Sequence, residues 1–251
     1  MKKNYRNNKQ NENKFVKQIP KDLWAKYTLN GKISVINWVF DERANHQNTL
    51  VLTKQDYEKA FKALQEGTFY YYGETLAFIL AALNKYSIKG KTVCVFGAIG
   101  VNCDAISLAY GAEKVYIIDY NPIVSEHPQV EAYNYETFEE KNIKVDVGIS
   151  ISSFEHDGLG RYGDRLCPNG DLKAMKKAKK IIKKDGLLFL SVPVGPDCLV
   201  WNAHRIYGQY RLPMLLKDWQ LLELFSEQSI TYAGLPVAWP VRQPVFVLKN
   251  V

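Results

Sequence analysis

The sequence predicts a doubly wound α/β fold with a mostly parallel sheet, and two observations lead to that class. From residue 91 to the end of the chain, short runs of aliphatic and aromatic residues alternate with amphipathic helical patterns. The chain has 251 residues, of which 47% are hydrophobic, enough for one sizeable core. Strands that alternate with helices form a parallel sheet covered on both faces, and ligands bind at the carboxyl ends of its strands.

The first 88 residues are predicted to form a tail and a small N-terminal extension. Residues 1–20 are rich in Asn and Lys, which is typical of a disordered basic tail. Residues 21–88 are predicted to be a largely helical cap. Within it, the apolar runs of 33–53 predict a strand pair or a lid, and helices are predicted over 54–65 and 76–85.

The main domain is predicted over residues 89–251, which carry the alternating pattern. Glycine follows the first strand, and Gly111 stands where a helix C-cap is expected. An acidic first turn and a lysine-rich last turn mark another helix. The predicted strands are 91–97, 114–119, 144–152, 187–194, 230–234 and 244–249, and the predicted helices are 103–110, 171–184 and 217–228.

The composition argues against several classes of protein. No apolar run approaches the roughly 20 residues that a membrane-spanning helix needs, and the basic N-terminus lacks the apolar segment of a secretory signal. The four cysteines are scattered, which predicts reduced thiols in a cytoplasmic protein without a metal site. The net charge is +7, but residues 1–26 contribute +6, so we expect a solvated tail and no nucleic-acid partner.

Two glycines and an acid at the ends of neighbouring strands predict a nucleotide-type site. Gly97 and Gly100 come where the first strand turns into a helix, and glycine there lets the backbone approach a ligand closely. Asp119 ends the next strand, nineteen residues after Gly100. A carboxylate in that place can accept hydrogen bonds from both ribose hydroxyls of an adenosine. The alternative is that Asp119 only forms a turn before Asn121 and Pro122.

Residues 91–251 resemble a class I S-adenosylmethionine-dependent methyltransferase in four features: the glycine loop, the acid of the second strand, the S-S-F-E-H stretch, and the lysine-rich helix that leads into K-D-G-L-L-F-L-S-V-P. The resemblance implies a seven-stranded Rossmann-like sheet, S-adenosylmethionine as cofactor and S-adenosylhomocysteine as product. The cofactor contacts that it implies are Gly97, Gly100, Asp119, Tyr120, Tyr72, Glu74 and Ser153. Many members carry an acid just before the glycine loop, where this chain has Phe96, and the segment 70–75 (Y-Y-Y-G-E-T) is a plausible substitute.

Two longer motifs resemble a narrower family. They read S-S-F-E-H-D-G-L-G-R-Y-G-D-R-L-C-P-N-G-D at 152–171 and W-N-A-H-R-I-Y-G-Q-Y-R-L-P at 201–213, and they are similar to an uncharacterised domain-of-unknown-function family of methyltransferase-like proteins. This resemblance implies no single substrate. Relatives of this kind are expected near surface-polysaccharide genes, so the expected reaction is O-methylation of a sugar, nucleotide-linked or phosphoryl-type precursor of capsule.

The first motif supplies candidate acceptor contacts, because it follows a predicted strand at the ligand edge of the sheet. His156 is a candidate general base, since its ordinary pKa lies near neutral pH; the alternative is a histidine fixed by a backbone hydrogen bond. Candidate contacts for an anionic substrate are Arg161, Tyr162 and Arg165. The alternative is that Arg161 pairs with Asp164, and Arg165 with Asp171, to shape the loop.

The second motif follows the next strand and is expected to form the facing wall of the site. His204 is the preferred catalytic base, because it stands in a polar and aromatic loop at the predicted edge. Further candidate substrate contacts are Asn202, Arg205 and Tyr207. Two other functions stay open: a non-catalytic protein that binds a nucleotide or a partner on this scaffold, and an NAD-dependent sugar enzyme on a similar sheet.

Overall fold

The computed structural model describes residues 16–41, 48–227 and 242–251. Residues 1–15 of the predicted tail and the predicted strand 230–234 lie outside the described residues. Within the described ranges, no helix is both long enough and apolar enough to cross a membrane.

Seven helices and twelve strands occur in the described part of the chain. In chain order they are α1 (Lys21–Tyr27), β1 (Ser34–Trp38), β2 (Leu50–Leu52), α2 (Lys54–Glu66), α3 (Glu74–Lys85), β3 (Thr92–Phe96), α4 (Cys103–Ala109), β4 (Lys114–Ile118), β5 (Ile123–Ser125), β6 (Val130–Tyr133), α5 (Tyr135–Lys141), β7 (Val145–Ile151), α6 (Gly170–Ile181), β8 (Ile182–Ser191), β9 (Cys198–Asn202), β10 (His204–Ile206), α7 (Arg211–Leu215), β11 (Trp219–Phe225) and β12 (Val245–Asn250). A short 3-10 helix, Phe154–His156, follows β7.

A seven-stranded, mostly parallel sheet forms the centre of the fold, in the order β11–β12–β8–β7–β3–β4–β6. The five strands from β8 to β6 are parallel to their neighbours. Only β12 runs antiparallel, to β8 on one side and to β11 on the other. The predicted Rossmann-like sheet of seven strands is therefore confirmed.

The central strands β3 and β7 are buried because their sequences are nearly continuous apolar runs, as parallel strands covered on both faces require. Gly148 in β7 shows how tightly the layers pack. A Cβ atom at that position would lie within 3.1 Å of side-chain atoms of Phe96, Ile182 and Leu188. Two large apolar clusters, one on each face of the sheet, form the core.

The predicted helices before the main domain are also present. α2 begins with a capping box, in which Thr53 and Asp56 accept each other's backbone N–H groups, and it ends at Gly67 in the left-handed conformation. The predicted helix 76–85 is α3, which starts two residues earlier at Glu74. The predicted helix 171–184 is α6, which ends at Ile181 because β8 begins at the next residue.

The helix predicted over 217–228 is wrong, because residues Trp219–Phe225 form the edge strand β11. Its leucines favour a helix by propensity, but pairing with β12 decides the conformation. The pairing contains an irregularity between Leu221 and Glu223. The Glu223 carboxylate then accepts hydrogen bonds from Lys85 and from the Tyr86 hydroxyl, both at 2.9 Å, at the end of α3.

The apolar runs predicted as a strand pair do form strands, but these strands do not pair with each other. β1 lies parallel to β9 in a three-stranded sheet with β10, and β2 lies parallel to β5. Both pairings cross the predicted domain boundary at residue 88. The end of the predicted tail also packs, since the backbone carbonyl of Val16 accepts a hydrogen bond from the Trp201 indole at 3.3 Å.

Candidate functional site

A crevice opens at the carboxyl ends of β3, β4 and β7, as the fold class predicts. It encloses about 760 Å³ of empty space, part of which is open to solvent. The predicted site residues that line it are Tyr72, Gly97, Gly100, Asp119, Tyr120, Ser153, His156 and Tyr162. Glu74 does not line this crevice; it is exposed at the start of α3 and borders a separate depression.

Gly97 holds the backbone of the first loop in a shape that a larger residue resists. Its φ is +81°, in the left-handed region, and a Cβ atom there would lie 2.4 Å from the Ser153 hydroxyl oxygen. Gly100 is less constrained, because the nearest atom to an added Cβ is the Asn102 amide nitrogen at 3.5 Å. The loop after β3 and the loop after β7 therefore touch at Gly97, below the crevice.

The Asp119 carboxylate lies in the wall of the crevice at the tip of β4. One oxygen accepts the backbone N–H of Ala98 at 2.9 Å, and the other accepts the backbone and side-chain N–H groups of Asn121 at 2.8 and 2.9 Å. These bonds fix the carboxylate between the two loops. A carboxylate held in this way presents a fixed negative charge to the crevice wall.

Phe96 offers no polar group to the crevice, because its side chain is 1% exposed and packs against Phe154 with ring centroids 5.3 Å apart. Tyr72, the central residue of the predicted substitute segment, does line the crevice. Its φ is +48°, which is uncommon outside glycine.

Two histidines meet beside the crevice, with ring centroids 6.2 Å apart, but only His156 lines it. The His156 Nδ1 atom lies 2.6 Å from the carbonyl oxygen of Ala203. Because a carbonyl only accepts, Nδ1 carries the hydrogen and Nε2 carries the lone pair of the neutral ring. Burial lowers the pKa of His156 to about 4, and the nearby Arg161 guanidinium adds to that shift, so the ring is neutral at pH 7.

Glu155 stands behind His156 as a buried acid. Its Oε1 atom accepts a hydrogen bond from the Ser152 hydroxyl at 2.7 Å and lies 3.8 Å from Nε2 of His156. Within the described residues, its Oε2 atom has no hydrogen-bond partner. Burial raises the pKa of Glu155 to about 7, so this carboxyl group holds a proton over part of the neutral range.

Arg161 lies between two aromatic rings at the side of the crevice. Its guanidinium carbon is 4.7 Å from the centroid of Phe40 and 5.0 Å from that of Tyr162. The Asp164 carboxylate accepts the backbone N–H groups of Gly158 and Gly160, at 2.7 and 3.2 Å. Arg165 is exposed. Asp171, its predicted alternative partner, forms its ion pair with Arg211 at 2.6 Å.

The other predicted acceptor contacts, Asn202, Arg205 and Tyr207, are at most 1% exposed and do not line the crevice. The Arg205 guanidinium donates hydrogen bonds to four backbone carbonyls of the first motif, those of Glu155, Asp157, Cys167 and Pro168. Asn202 bonds both backbone groups of Phe40, and the Tyr207 hydroxyl donates to Asp171. The structure therefore corrects these three assignments: the polar groups are satisfied inside the protein.

A buried ion pair anchors the same region. Asp171 accepts from Nε and Nη2 of Arg211 at 2.9 and 2.6 Å. Burial by itself raises the pKa of Asp171, but Arg205 and Arg211 outweigh it and the net pKa is lowered. Asp197, in turn, accepts three backbone N–H groups at the start of α7, including that of Arg211.

The sequence reasoning missed several residues that line the crevice: Tyr71, Asp104, Tyr135 and Asp157. Asp104 carries the clearest signal, because an acid in the first turn of the helix after a glycine loop faces the same strand ends. Tyr135 carries no comparable signal, since α5 was not predicted. Among the described residues, no group of three or more His, Cys, Asp and Glu side chains is placed to hold a metal ion.

Solved structures with a similar fold include methyltransferases. The 1,6-didemethyltoxoflavin-N1-methyltransferase of Burkholderia thailandensis, solved with 1,6-didemethyltoxoflavin and S-adenosylhomocysteine, is 14% identical with a TM-score of 0.50, over 77% of this chain and 86% of that one. An S-adenosylmethionine-dependent methyltransferase of Clostridium acetobutylicum is 11% identical with a TM-score of 0.47, over 78% and 98%. A candidate hemolysin of Streptococcus thermophilus is 13% identical with a TM-score of 0.42, over 68% of this chain and 64% of that one.

The likeness to the Burkholderia thailandensis enzyme, at 14% identity, supports the fold alone. No curated protein matches the chain. A family model described as "Caenorhabditis protein of unknown function, DUF268" matches residues 90–238. Because that match covers more than half of the chain, this protein belongs to the DUF268 family.

Proposed function

We propose that this protein is an S-adenosylmethionine-dependent methyltransferase that acts on an anionic or sugar-linked acceptor. The observation that carries the proposal is the crevice in which the backbone at Gly97 and Ala98 meets the carboxylate of Asp119. A ribose diol bound against Asp119 would donate charge-assisted hydrogen bonds to the carboxylate, and the glycine backbone would leave room for the rest of an adenosine.

The residues present fit such a cofactor. The Asp119 carboxylate is oriented by Ala98 and Asn121 and forms part of the crevice lining. Tyr72, Tyr120 and Tyr135 add aromatic surface to the walls. When bound, S-adenosylmethionine supplies a methyl group that is already activated on a sulfonium. The work left to the protein is to exclude water and to align the acceptor with that methyl group.

His156 supports acid–base chemistry better than His204, the base preferred from the sequence, because His156 lines the crevice. Its Nε2 atom holds a lone pair that can take a proton from an acceptor hydroxyl. The lowered pKa makes it a weak base, so a phosphate or carboxylate acceptor, which gives up no proton, fits equally well.

Arg161 supports an anionic acceptor. Its guanidinium lies over the rings of Phe40 and Tyr162, of which Tyr162 lines the crevice, and its charge lowers the pKa of His156. The finer proposal, O-methylation of a sugar, nucleotide-linked or phosphoryl-type precursor of a surface polysaccharide, combines this positive charge with the sequence resemblance.

A thermal-shift panel with the full chain tests the proposal. S-adenosylhomocysteine at about 100 times its dissociation constant should stabilise the protein by about 2.7 kcal/mol, which corresponds to a rise of several degrees in the melting temperature. Asp119→Ala should abolish the shift. Asp185→Ala, which removes a surface carboxylate paired with Lys249, is the matched control and should keep it.

Either of two results would overturn the methyltransferase assignment. NAD could raise the melting temperature while S-adenosylhomocysteine does not, as an NAD-dependent enzyme requires. The second result is that neither ligand raises the melting temperature, as a non-catalytic scaffold requires. An unchanged S-adenosylhomocysteine shift in Asp119→Ala would refute the ribose contact alone.

A further inference from the structure

The crevice contains a buried carboxylate that the proposed ribose and acceptor contacts do not use. Asp104, the second residue of α4, is 1% exposed and yet belongs to the crevice lining. One of its oxygens accepts the backbone N–H of Asn102 at 2.7 Å, and the other accepts the Tyr57 hydroxyl at 2.5 Å. The backbone N–H groups of Asp104 and Ala105 also bond to it. These donors are all neutral, so they orient the carboxylate without supplying an opposite charge.

No cation balances Asp104 among the described residues, where no Lys, Arg or His nitrogen comes within ion-pair distance of it. The groups around it are hydroxyls, a thiol and the His127 ring, which lies 4.8 Å from the Tyr57 ring. Burial lowers the pKa of His127 and raises that of Asp104. Because a buried carboxylate gains most from an opposite charge, this one is suited to a cationic group that enters the crevice.

Asp104 and Asp119 stand at two ends of one path. Asp119 lies at the tip of β4, Asp104 lies at the start of α4, and the backbone of residues 97–102 connects the two across the crevice. If the 5′ substituent of an adenosine held at Asp119 follows that backbone, it ends beside Asp104. In the proposed cofactor this substituent ends in an amino acid, which carries an ammonium group.

We propose that Asp104 binds the ammonium group of the cofactor's amino-acid end, with Tyr57 and the Asn102 backbone holding the carboxylate in place. This inference rests on the proposed function. It assigns a negative charge to the part of the site where Phe96 supplies none, and it places that charge on α4 instead of on the strand before the glycine loop.

Calorimetric titration of the full chain tests the inference with two ligands that differ by one group. They are S-adenosylhomocysteine and S-(3-carboxypropyl)-5′-thioadenosine, which lacks only the amino group. The wild type should bind S-adenosylhomocysteine about 10- to 100-fold more tightly, the range of a hydrogen bond to a charged group. Asp104→Asn should remove that preference and leave the affinity for the deaminated ligand within about twofold.

Tyr57→Phe is the matched control, because it removes a hydrogen bond to Asp104 but keeps the charge, so the preference should persist. Equal binding of the two ligands by the wild type would overturn the inference while leaving the proposed function intact. So would an equal loss of both affinities in Asp104→Asn, which would make Asp104 a structural residue. If the wild type binds neither these ligands nor 5′-methylthioadenosine, both proposals fall.

Discussion

The loops after β3 and β7 are both rich in glycine and reach the same edge of the sheet, yet they use their polar groups in opposite ways. The loop after β3 turns backbone groups and the nearby carboxylates of Asp104 and Asp119 toward the crevice. Most polar groups of the loop after β7 form hydrogen bonds within the protein. Asp164 accepts the N–H groups of Gly158 and Gly160, and the guanidinium of Arg205 in β10 donates to four carbonyls of the loop. A polar loop binds a ligand only where its groups are not already satisfied by the chain.

Among the variants proposed here, Asp171→Asn should cause the largest loss of stability, because Asp171 anchors the region behind the loop after β7. The change leaves the buried guanidinium groups of Arg205 and Arg211 without a counter-charge, so the free energy of unfolding should fall by about 3–5 kcal/mol. Urea denaturation measures it. Asp185→Asn, at the exposed pair with Lys249, is the control and should cost less than about 1 kcal/mol. A similar loss in the two variants would contradict a structural role for the buried pair.

Glu155→Gln should remove a pH dependence of stability. The unfolded carboxyl ionises near pH 4.5, whereas the folded one ionises near pH 7. Between these values the unfolded chain gives up its proton first, so the wild type loses stability as the pH rises, by on the order of 3 kcal/mol in all, and the loss is complete above pH 7. The glutamine variant lacks this loss.

The measurement is the difference in unfolding free energy between Glu155→Gln and the wild type at several pH values. This difference should shift in favour of the variant between pH 5 and pH 8. His156, whose pKa is lowered, acts in the opposite direction as the pH falls below 6.5, and it is present in both proteins, so its contribution largely cancels. A difference that does not change with pH would show that Glu155 ionises normally.

Gly97→Ala tests the role of the loop after β3. The left-handed φ of +81° and the 2.4 Å approach to the Ser153 oxygen should together cost about 1–3 kcal/mol of stability and weaken binding of S-adenosylhomocysteine. Gly100→Ala is the matched control, since its added Cβ finds its nearest atom at 3.5 Å. Chemical denaturation measures the unfolding free energy of both variants. Equal losses in the two variants would contradict this account.

Arg161→Ala should have the smallest effect on folding. Its stacking on Phe40 and Tyr162 contributes about 0.5–1 kcal/mol, and its side chain is only partly buried, so the loss of stability should be small. Arg205→Ala, which leaves four carbonyls without their donor, should lose several times more. Denaturation midpoints compare the two arginines, and similar losses would mean that Arg161 is also a structural residue.

The core of the fold was predictable because local pattern and tertiary environment agree there. β3 and β7 are apolar runs that a parallel sheet buries, and the capping signals around α2 act within a few residues. The prediction for Trp219–Phe225 was wrong because the leucines of this segment suit either a helix or a strand, and only pairing with β12 distinguishes the two. β9, β10 and α7 were missed because pairing with β1 and capping by Asp197 depend on residues far away in the chain.

The sequence by itself determined the order of the buried strands β3, β4, β7 and β8, and with it the position of Gly97 and Asp119 at one edge of the sheet, since residues that end parallel strands share that edge. Only the tertiary structure decided which charged residues face the crevice. Arg205 and Tyr207 were predicted to bind the substrate, but both are buried and form their hydrogen bonds within the protein. Asp104 was not among the predicted site residues, and only the packing of α4 shows that it is a buried acid in the crevice lining.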